Sequence, residues 1–399
     1  MKKLIVFSLV FALVTGAVLA DTYFGAWGRA VFIPVYYNGN VEEKNEEGEW
    51  KTHGEVQSMT DVGWAPLPNM AFYFSISGEQ IGFVANWDFA ASDGPDGQGR
   101  DGEIKTWWKP NDKFRMDFGW ARDATLRGYD NVDSLHFLSG GMWDMHDLIF
   151  QRLSTAEWYH KGGGVEKRPG AIFALTPIDG LYLGAAIATG PGLYSGMKLE
   201  DVLKYSQYAI GYTINGIGLI RAGYHGVTGF DAGWPVIPSQ LAQFAFQLNA
   251  IDGLTLDLGF GYRLNSEDYG DADLNTMQLG LAAGYNAGAF NIDLNFGGFF
   301  GGTYDKDAGT GEAGVIRLML TPAYTMDFGT IGANFILGTD FSGNDNVLDF
   351  GAGLWFSKSV GGGSVKAGLA LHQPAGLNKD GKAKNMNFAI PIELTYSIW

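Results

Sequence analysis

The chain of 399 residues contains no cysteine. That excludes a disulfide framework and any thiolate-held metal. Positive charge is also scarce: 27 Lys and Arg stand against 43 Asp and Glu, for a formal net charge of −16. A nucleic-acid binder needs a basic footprint to neutralise phosphates, so nucleic acid is not an expected partner. Beyond residue 20 no apolar run reaches 18 residues, which leaves no membrane-crossing helix there. Helix-period patterning is almost absent. No P-loop, dinucleotide fingerprint or G-x-S-x-G elbow occurs, and no nucleophile stands beside a base, so neither catalysis nor a cofactor is expected.

What is present is apolar surface and glycine. A hydrophobic fraction of 46%, with 27 Phe, 18 Tyr and 12 Trp, excludes disorder. The 59 glycines follow no period of three, so a collagen-like origin is excluded. Residues 1–20, MKKLIVFSLVFALVTGAVLA, combine Lys2 and Lys3 with an apolar stretch and end in Val18-Leu19-Ala20. This is the pattern of a signal peptide cleaved before Asp21. An exported chain without a spanning helix is either soluble or a closed β-barrel, the other structure that crosses a bilayer.

The remainder alternates with period two. Leu254, Leu256, Leu258, Phe260 and Tyr262 interleave with Thr255, Asp257, Gly259, Gly261 and Arg263. Phe290, Ile292, Leu294 and Phe296 interleave with Asn291, Asp293, Asn295 and Gly297, and Phe114, Met116, Phe118 and Trp120 do so with Arg115, Asp117, Gly119 and Ala121. Successive side chains of a strand leave opposite faces, so period two means strand.

The pattern predicts 18 strands, at 23–37, 69–77, 80–91, 103–109, 113–121, 170–177, 181–189, 205–214, 217–226, 241–250, 254–263, 274–285, 288–300, 313–326, 329–340, 346–357, 363–372 and 386–399. Their connections alternate between tight turns, such as Asn215-Gly216 and Asp252-Gly253, and long polar loops at 38–68, 92–102, 122–169, 190–204, 227–240, 264–273, 301–312 and 373–385. Residues 55–64 are assigned to the first long loop, because one more strand would make the count odd. The short 341–345 connection leaves 16 or 20 strands as alternatives. The expected fold is all-β: a transmembrane antiparallel barrel of residues 21–399 with short turns at one rim and long loops at the other. Glycines on the polar face, including Gly211, Gly284, Gly297 and Gly368, are expected to keep the bore open. Aromatics near strand ends, Trp87, Phe89, Tyr262, Tyr285, Phe300 and Tyr324, suit interfacial girdles.

The final strand carries Ile390, Ile392, Leu394, Tyr396 and Ile398 on one face, and the sequence closes on Trp399. This resembles the C-terminal signature that outer-membrane proteins present to their assembly machinery. It departs from that signature in placing Tyr396 three residues before the end and Trp399 on the other face. Taken whole, the sequence resembles porins of the 16- or 18-stranded type. The stretch at 106–128, TWWKPNDKFRMDFGWARDATLRG, is similar to porin-like proteins of spirochaetes. The resemblance implies a bacterial outer-membrane location with contact to its lipid, engagement of the barrel-assembly machinery through the strand ending at Trp399, and a homotrimer passing small hydrophilic solutes. It also implies that one long loop, here 122–169, folds into the lumen. Apolar patches in that loop, such as Phe137, Leu138, Trp143 and Phe150, would pack on an inner wall.

Alternation assigns Arg115, Arg221, Arg263, Arg317 and Lys366 to the inner face, with Asp88, Asp117, Asp257, Asp293, Asp340, Asp349 and Glu393. The loop adds Arg122, Arg127, Asp130, Asp133, Asp144, Asp147 and Arg152. Of these, Arg115, Asp117, Arg221, Asp257, Arg263, Asp293 and Arg317 join the loop residues as candidates for the pore wall and constriction, where opposed charges orient polar solutes. His136, His146 and His160 lack metal-ligand spacing, and the acidic loops at 93–103 and 267–273 do not match a calcium-binding loop, so no metal is expected. The function expected is a water-filled channel for passive diffusion. One alternative is a surface adhesin or structural protein whose acidic loops bind host or neighbouring molecules. Another is a substrate-selective channel for sugars or other small nutrients, with Tyr73 and Trp355 as inward rings for stacking.

Overall fold

The computed structural model describes residues 21–59, 69–90, 103–123, 166–188, 198–204, 206–226, 240–264, 277–302, 304–305, 310–311, 314–340 and 348–398. The strands are β1 (Asp21–Lys44), β2 (Trp50–Met59), β3 (Asn69–Ser77), β4 (Ile81–Ala90), β5 (Glu103–Asn111), β6 (Phe114–Asp123), β7 (Glu166–Leu175) and β8 (Leu181–Ala188). After a short helix, α1 (Leu199–Lys204), come β9 (Gln207–Ile214), β10 (Gly218–Gly226), β11 (Gln240–Leu248), β12 (Leu254–Arg263), β13 (Met277–Ala287) and β14 (Phe290–Phe300). A two-stranded ribbon, β15 (Tyr304–Asp305) and β16 (Thr310–Gly311), precedes β17 (Val315–Met326), β18 (Gly329–Asp340), β19 (Leu348–Val360), β20 (Gly363–Gln373) and β21 (Asn387–Ile398).

Each strand pairs antiparallel with its neighbour, and β1 pairs with both β3 and β21, so the sheet closes on itself. The wall has 18 strands. Closure matters because an open edge would leave backbone N–H and C=O groups unpaired where no water can satisfy them.

The register carries the predicted alternation around the barrel. One row runs Leu256, Ala283, Leu294, Leu320, Phe335, Ala352, Leu371 and Phe388, apolar throughout. The adjacent row runs Asp257, Ala282, Asn295, Met319, Ile336, Gly351, His372 and Asn387. Exposure is inverted relative to a water-soluble protein: Phe335 is 50% exposed while neighbouring Asn334 is 0%. A surface of this kind is stable only against hydrocarbon. Among the described residues no helix is long and apolar enough to cross a membrane.

The first long loop differs from expectation. β1 continues to Lys44 and pairs with β2 from Ile33↔Met59 to Lys44↔Trp50, so 50–59 is strand. It does not change the wall count, because β2 takes over the edge of β1 that β3 occupies from Asp21 to Arg29. The handover coincides with a register shift against β21 between Phe32 and Val35, spanning Pro34. Proline cannot donate to a ladder, and a bulge is where a strand tolerates it. Strand also replaces loop at both ends of the 122–169 connection: Arg122 belongs to β6, while Glu166 to Arg168 belong to β7.

Short connections gather at the rim that carries the start of β1 and the end of β21. Gly216 and Gly253 adopt φ of 74° there, the left-handed geometry that tight turns require. Tyr285, Phe290 and Tyr324 stand exposed near this rim, and Tyr262 near the other. Residues 1–20 and Trp399 lie outside the described residues, as do the side chains of Trp87 and Phe89.

Candidate functional site: the inner face of the barrel

The inner face is built from alternate residues of every wall strand, and its charges fall into distinct groups. On β6, Arg115 donates from Nε to Asp117 Oδ2 at 2.8 Å and from Nη2 to Asp117 Oδ1 at 2.7 Å. Residues two apart on a strand share a face, so this fork closes within one strand. The guanidinium also lies 4.9 Å from the centroid of the Trp107 ring. Trp107 in turn lies over Gly82, its register partner, where a Cβ would overlap the indole. Arg115 and Asp117 therefore largely cancel each other's field.

Arg221 on β10 reaches towards Asp257 on β12, with Nη2 3.9 Å from Oδ1. On the intervening β11, Ala245 is the register partner of Arg221 and its small side chain leaves room for that approach, while Gln247 stands beside Asp257. Arg317 on β17 is turned against the wall, where Nη1 donates to the carbonyls of Ile316 at 3.1 Å and Thr339 at 3.2 Å. Near the long-loop rim, His372 Nε2 and Asp349 Oδ1 form a buried pair at 2.9 Å.

Trp355 does not present the open ring that stacking on a sugar needs. Its Nε1 donates to buried Asn334 Oδ1 at 3.0 Å, Lys366 Nζ sits 3.9 Å from its centroid, and its face lies across Gly332. Lys366 is also the register partner of Glu393. Several inward glycines thus serve as seats for large inward side chains: Gly332 under Trp355, Gly82 under Trp107 and Gly338 under Arg317. At these three positions the missing side chain accommodates a neighbour and does not widen the bore.

Elsewhere a glycine does keep a hollow. Between β12, β13, β14 and β17, a cavity of about 300 Å³ is lined by Thr255, Asp257, Gly284, Asp293, Asn295 and Thr321. It lies towards the short-turn rim, since Thr255 follows directly on the start of β12 and Asp293 is close to the start of β14. Two apolar clusters share the inner face: Ile172, Ala174, Tyr182, Ala186 and Ala209 on β7 to β9, and a second including Val31, Ile33, Met319, Ile336 and Ala389.

Of the other candidate residues, Arg122 and Arg263 hold backbone positions in β6 and β12. Asp88 and Asp340 hold such positions in β4 and β18. The side chains of these four lie outside the described residues, as do Arg127, Asp130, Asp133, Asp144, Asp147 and Arg152 altogether. Among the described residues no cluster of three or more His, Asp or Glu could hold a metal ion. Sequence reading passed over Thr321 and Asn334, neutral residues whose importance depends on which side chains lie beside them across the strands.

No known family profile matches the chain, and no curated protein does. Solved structures do. A BenF-like porin from Pseudomonas fluorescens Pf-5 superposes with a TM-score of 0.51 at 11% identity, covering 95% of this chain and 98% of that one. Pseudomonas aeruginosa OccK8 (OprE) superposes with a TM-score of 0.50 at 10% identity, with the same coverage of 95% and 98%. At these identities the likeness is one of fold: the chain adopts the porin barrel.

Proposed function

We propose that this protein is a porin of a bacterial outer membrane, a water-filled channel through which small hydrophilic solutes diffuse passively. The observation that carries the reading is the pair of rows around the closed wall. Apolar residues line the outside from Leu256 to Phe388, while the inside carries Asp257, Asn295 and His372 in the same register. Charge on the inner face is tolerable only where water reaches it; facing lipid near the midplane, an Arg or Lys would cost about 2–4 kcal/mol.

In this reading residues 1–20 direct export, the strand ending at Trp399 is read by the assembly machinery, and three copies associate in the membrane. The 124–165 connection enters the lumen. Support for that placement comes from the apolar inner cluster on β7 to β9, which begins on the strand that follows the connection. Solute passage down a gradient consumes no cofactor and makes or breaks no bond.

The test is swelling of liposomes that contain refolded residues 21–399, challenged with neutral sugars of increasing size. Rates that fall steeply with solute size are expected. Swelling no faster than in protein-free liposomes, from protein that migrates as a folded, heat-modifiable barrel, would overturn the reading.

A further inference from the structure

The hollow between β12, β13, β14 and β17 brings together carboxylate and hydroxyl oxygens, two of them, on Asp257 and Thr321, buried without a hydrogen-bond donor. Asp117 is forked by Arg115, Asp349 is paired with His372, and Glu393 faces Lys366 in register. Asp293 has no cation of this kind among the described residues. Its register neighbours are Gly284 on one side and Thr321 on the other.

Asp257, at the edge of the same hollow, has only long contacts. Gln247 Nε2 lies 3.5 Å from its Oδ2, and Arg221 stands 3.9 Å from its Oδ1, a buried oxygen that accepts no hydrogen bond.

Two further observations point to a ligand. Thr321 is 1% exposed, its Oγ1 is buried without a hydrogen-bond partner, and it lines the hollow. Buried polar atoms are ordinarily satisfied, and one left alone costs about 1–3 kcal/mol. Moreover, Gly284 keeps the space between two of the lining oxygens clear: a Cβ there would come 2.9 Å from both Asp293 Oδ1 and Thr255 Oγ1. With glycine there, Asp293 Oδ1 remains open to an occupant, as does the acceptor side of Thr255 Oγ1, whose proton goes to Gly284 O at 3.4 Å.

Ala282, Ala283 and Met319 complete the lining, and the chemistry of the occupant's polar end follows from the remaining side chains. Two carboxylates, two hydroxyls and the Asn295 amide present chiefly acceptors, so the occupant must bring donors and positive charge. Among the described residues no three His, Asp or Glu gather to hold a metal ion, here or elsewhere, so the occupant considered is organic. The volume of about 300 Å³ suits a group of several atoms.

We propose that this hollow is a subsite for the protonated nitrogen head, ammonium or guanidinium, of a permeating organic cation, with Asp293 as its counter-ion and Thr321 and Asp257 as further acceptors. This assignment rests on the channel reading above and adds a substrate class to it. The subsite lies on the short-turn side, where a cation that has traversed the lumen is held briefly before release.

The test uses putrescine as the probe, 1,4-butanediol as its neutral analogue and calcium chloride as the inorganic cation. Channel current is recorded in planar bilayers, and putrescine binding to the refolded barrel in detergent is measured by calorimetry. Expected is a saturable block by putrescine, little effect of butanediol, weaker block by calcium, and binding weakened about tenfold in Asp293→Asn and several-fold in Thr321→Val. Gly284→Ala, which crowds Asp293 Oδ1 and Thr255 Oγ1 without removing charge, is expected to weaken binding as well, and stands in if Asp293→Asn does not fold.

An open channel with neither block nor binding would overturn the subsite and leave the porin reading standing. Block by calcium equal to that by putrescine, or binding unchanged in the folded variants, would overturn it too. Binding that is lost in Asp293→Asn, from a barrel that passes no current, would overturn the porin reading and the permeation role with it, leaving only a cation-binding hollow.

Discussion

Trp355 lies across Gly332, its register partner on β18, so closely that a Cβ on Gly332 would overlap the indole. The ring is held there by the hydrogen bond from Nε1 to Asn334 and by Lys366 above it. A side chain at 332 must displace the indole and break that bond. Gly332→Val is expected to destabilise the barrel by about 1–3 kcal/mol, the usual cost of overpacking. Urea unfolding in detergent micelles, followed by tryptophan fluorescence, measures it; an unchanged midpoint would show that the ring has another resting place.

The Arg115–Asp117 fork predicts a non-additive double-mutant cycle. Arg115→Ala takes both guanidinium hydrogen bonds from the buried Asp117 carboxylate, at a cost of about 1–3 kcal/mol. Adding Asp117→Ala removes the carboxylate that lost the fork and is expected to recover part of that loss. The single variant is also expected to shift the zero-current potential in a KCl gradient towards cation preference, because it uncovers a carboxylate in the lumen.

At the long-loop rim, Asn40 joins β1 to the β20–β21 connection. Its Nδ2 donates to Asn385 O at 2.8 Å and Asn387 Oδ1 at 3.0 Å, while its Oδ1 accepts from Asn378 Nδ2 at 3.3 Å. Nearby, Lys379 pairs with Glu42 at 3.3 Å and stacks 4.1 Å from the Trp50 ring. Asn40→Ala is expected to make the 374–386 connection at least several-fold more sensitive to protease in intact proteoliposomes, without loss of the barrel. Equal cutting rates would mean that the remaining contacts hold the connection alone.

Placement of the 124–165 connection in the lumen predicts that deleting it enlarges the unit conductance. Steps of unchanged size from the deleted protein would place it outside the bore.

The wall was legible in the sequence because alternation is a local signal: Leu254 to Tyr262 and Phe290 to Phe296 specify strand, face and turn at once. β2 was not, because Trp50–Met59 has only Trp50, Val56 and Met59 as apolar residues and no regular period. It is strand through pairing with the extended upper half of β1. The partners of the inner-face charges were not legible either, because they depend on lateral neighbours that only register fixes. Arg115 is spent on Asp117 within its own strand, and Trp355 is covered by Lys366 from the next. The hollow at Gly284 was hidden for the same reason: Thr255, Asp293 and Thr321 meet there from three different strands.

The central claim is a continuous aqueous path through the 18-strand wall. Single-channel recording of refolded residues 21–399 in a planar bilayer tests it most directly. The account predicts stable, ohmic conductance steps whose size scales with bulk electrolyte conductivity. A protein that is folded and heat-modifiable, yet gives no steps at any voltage, would contradict it.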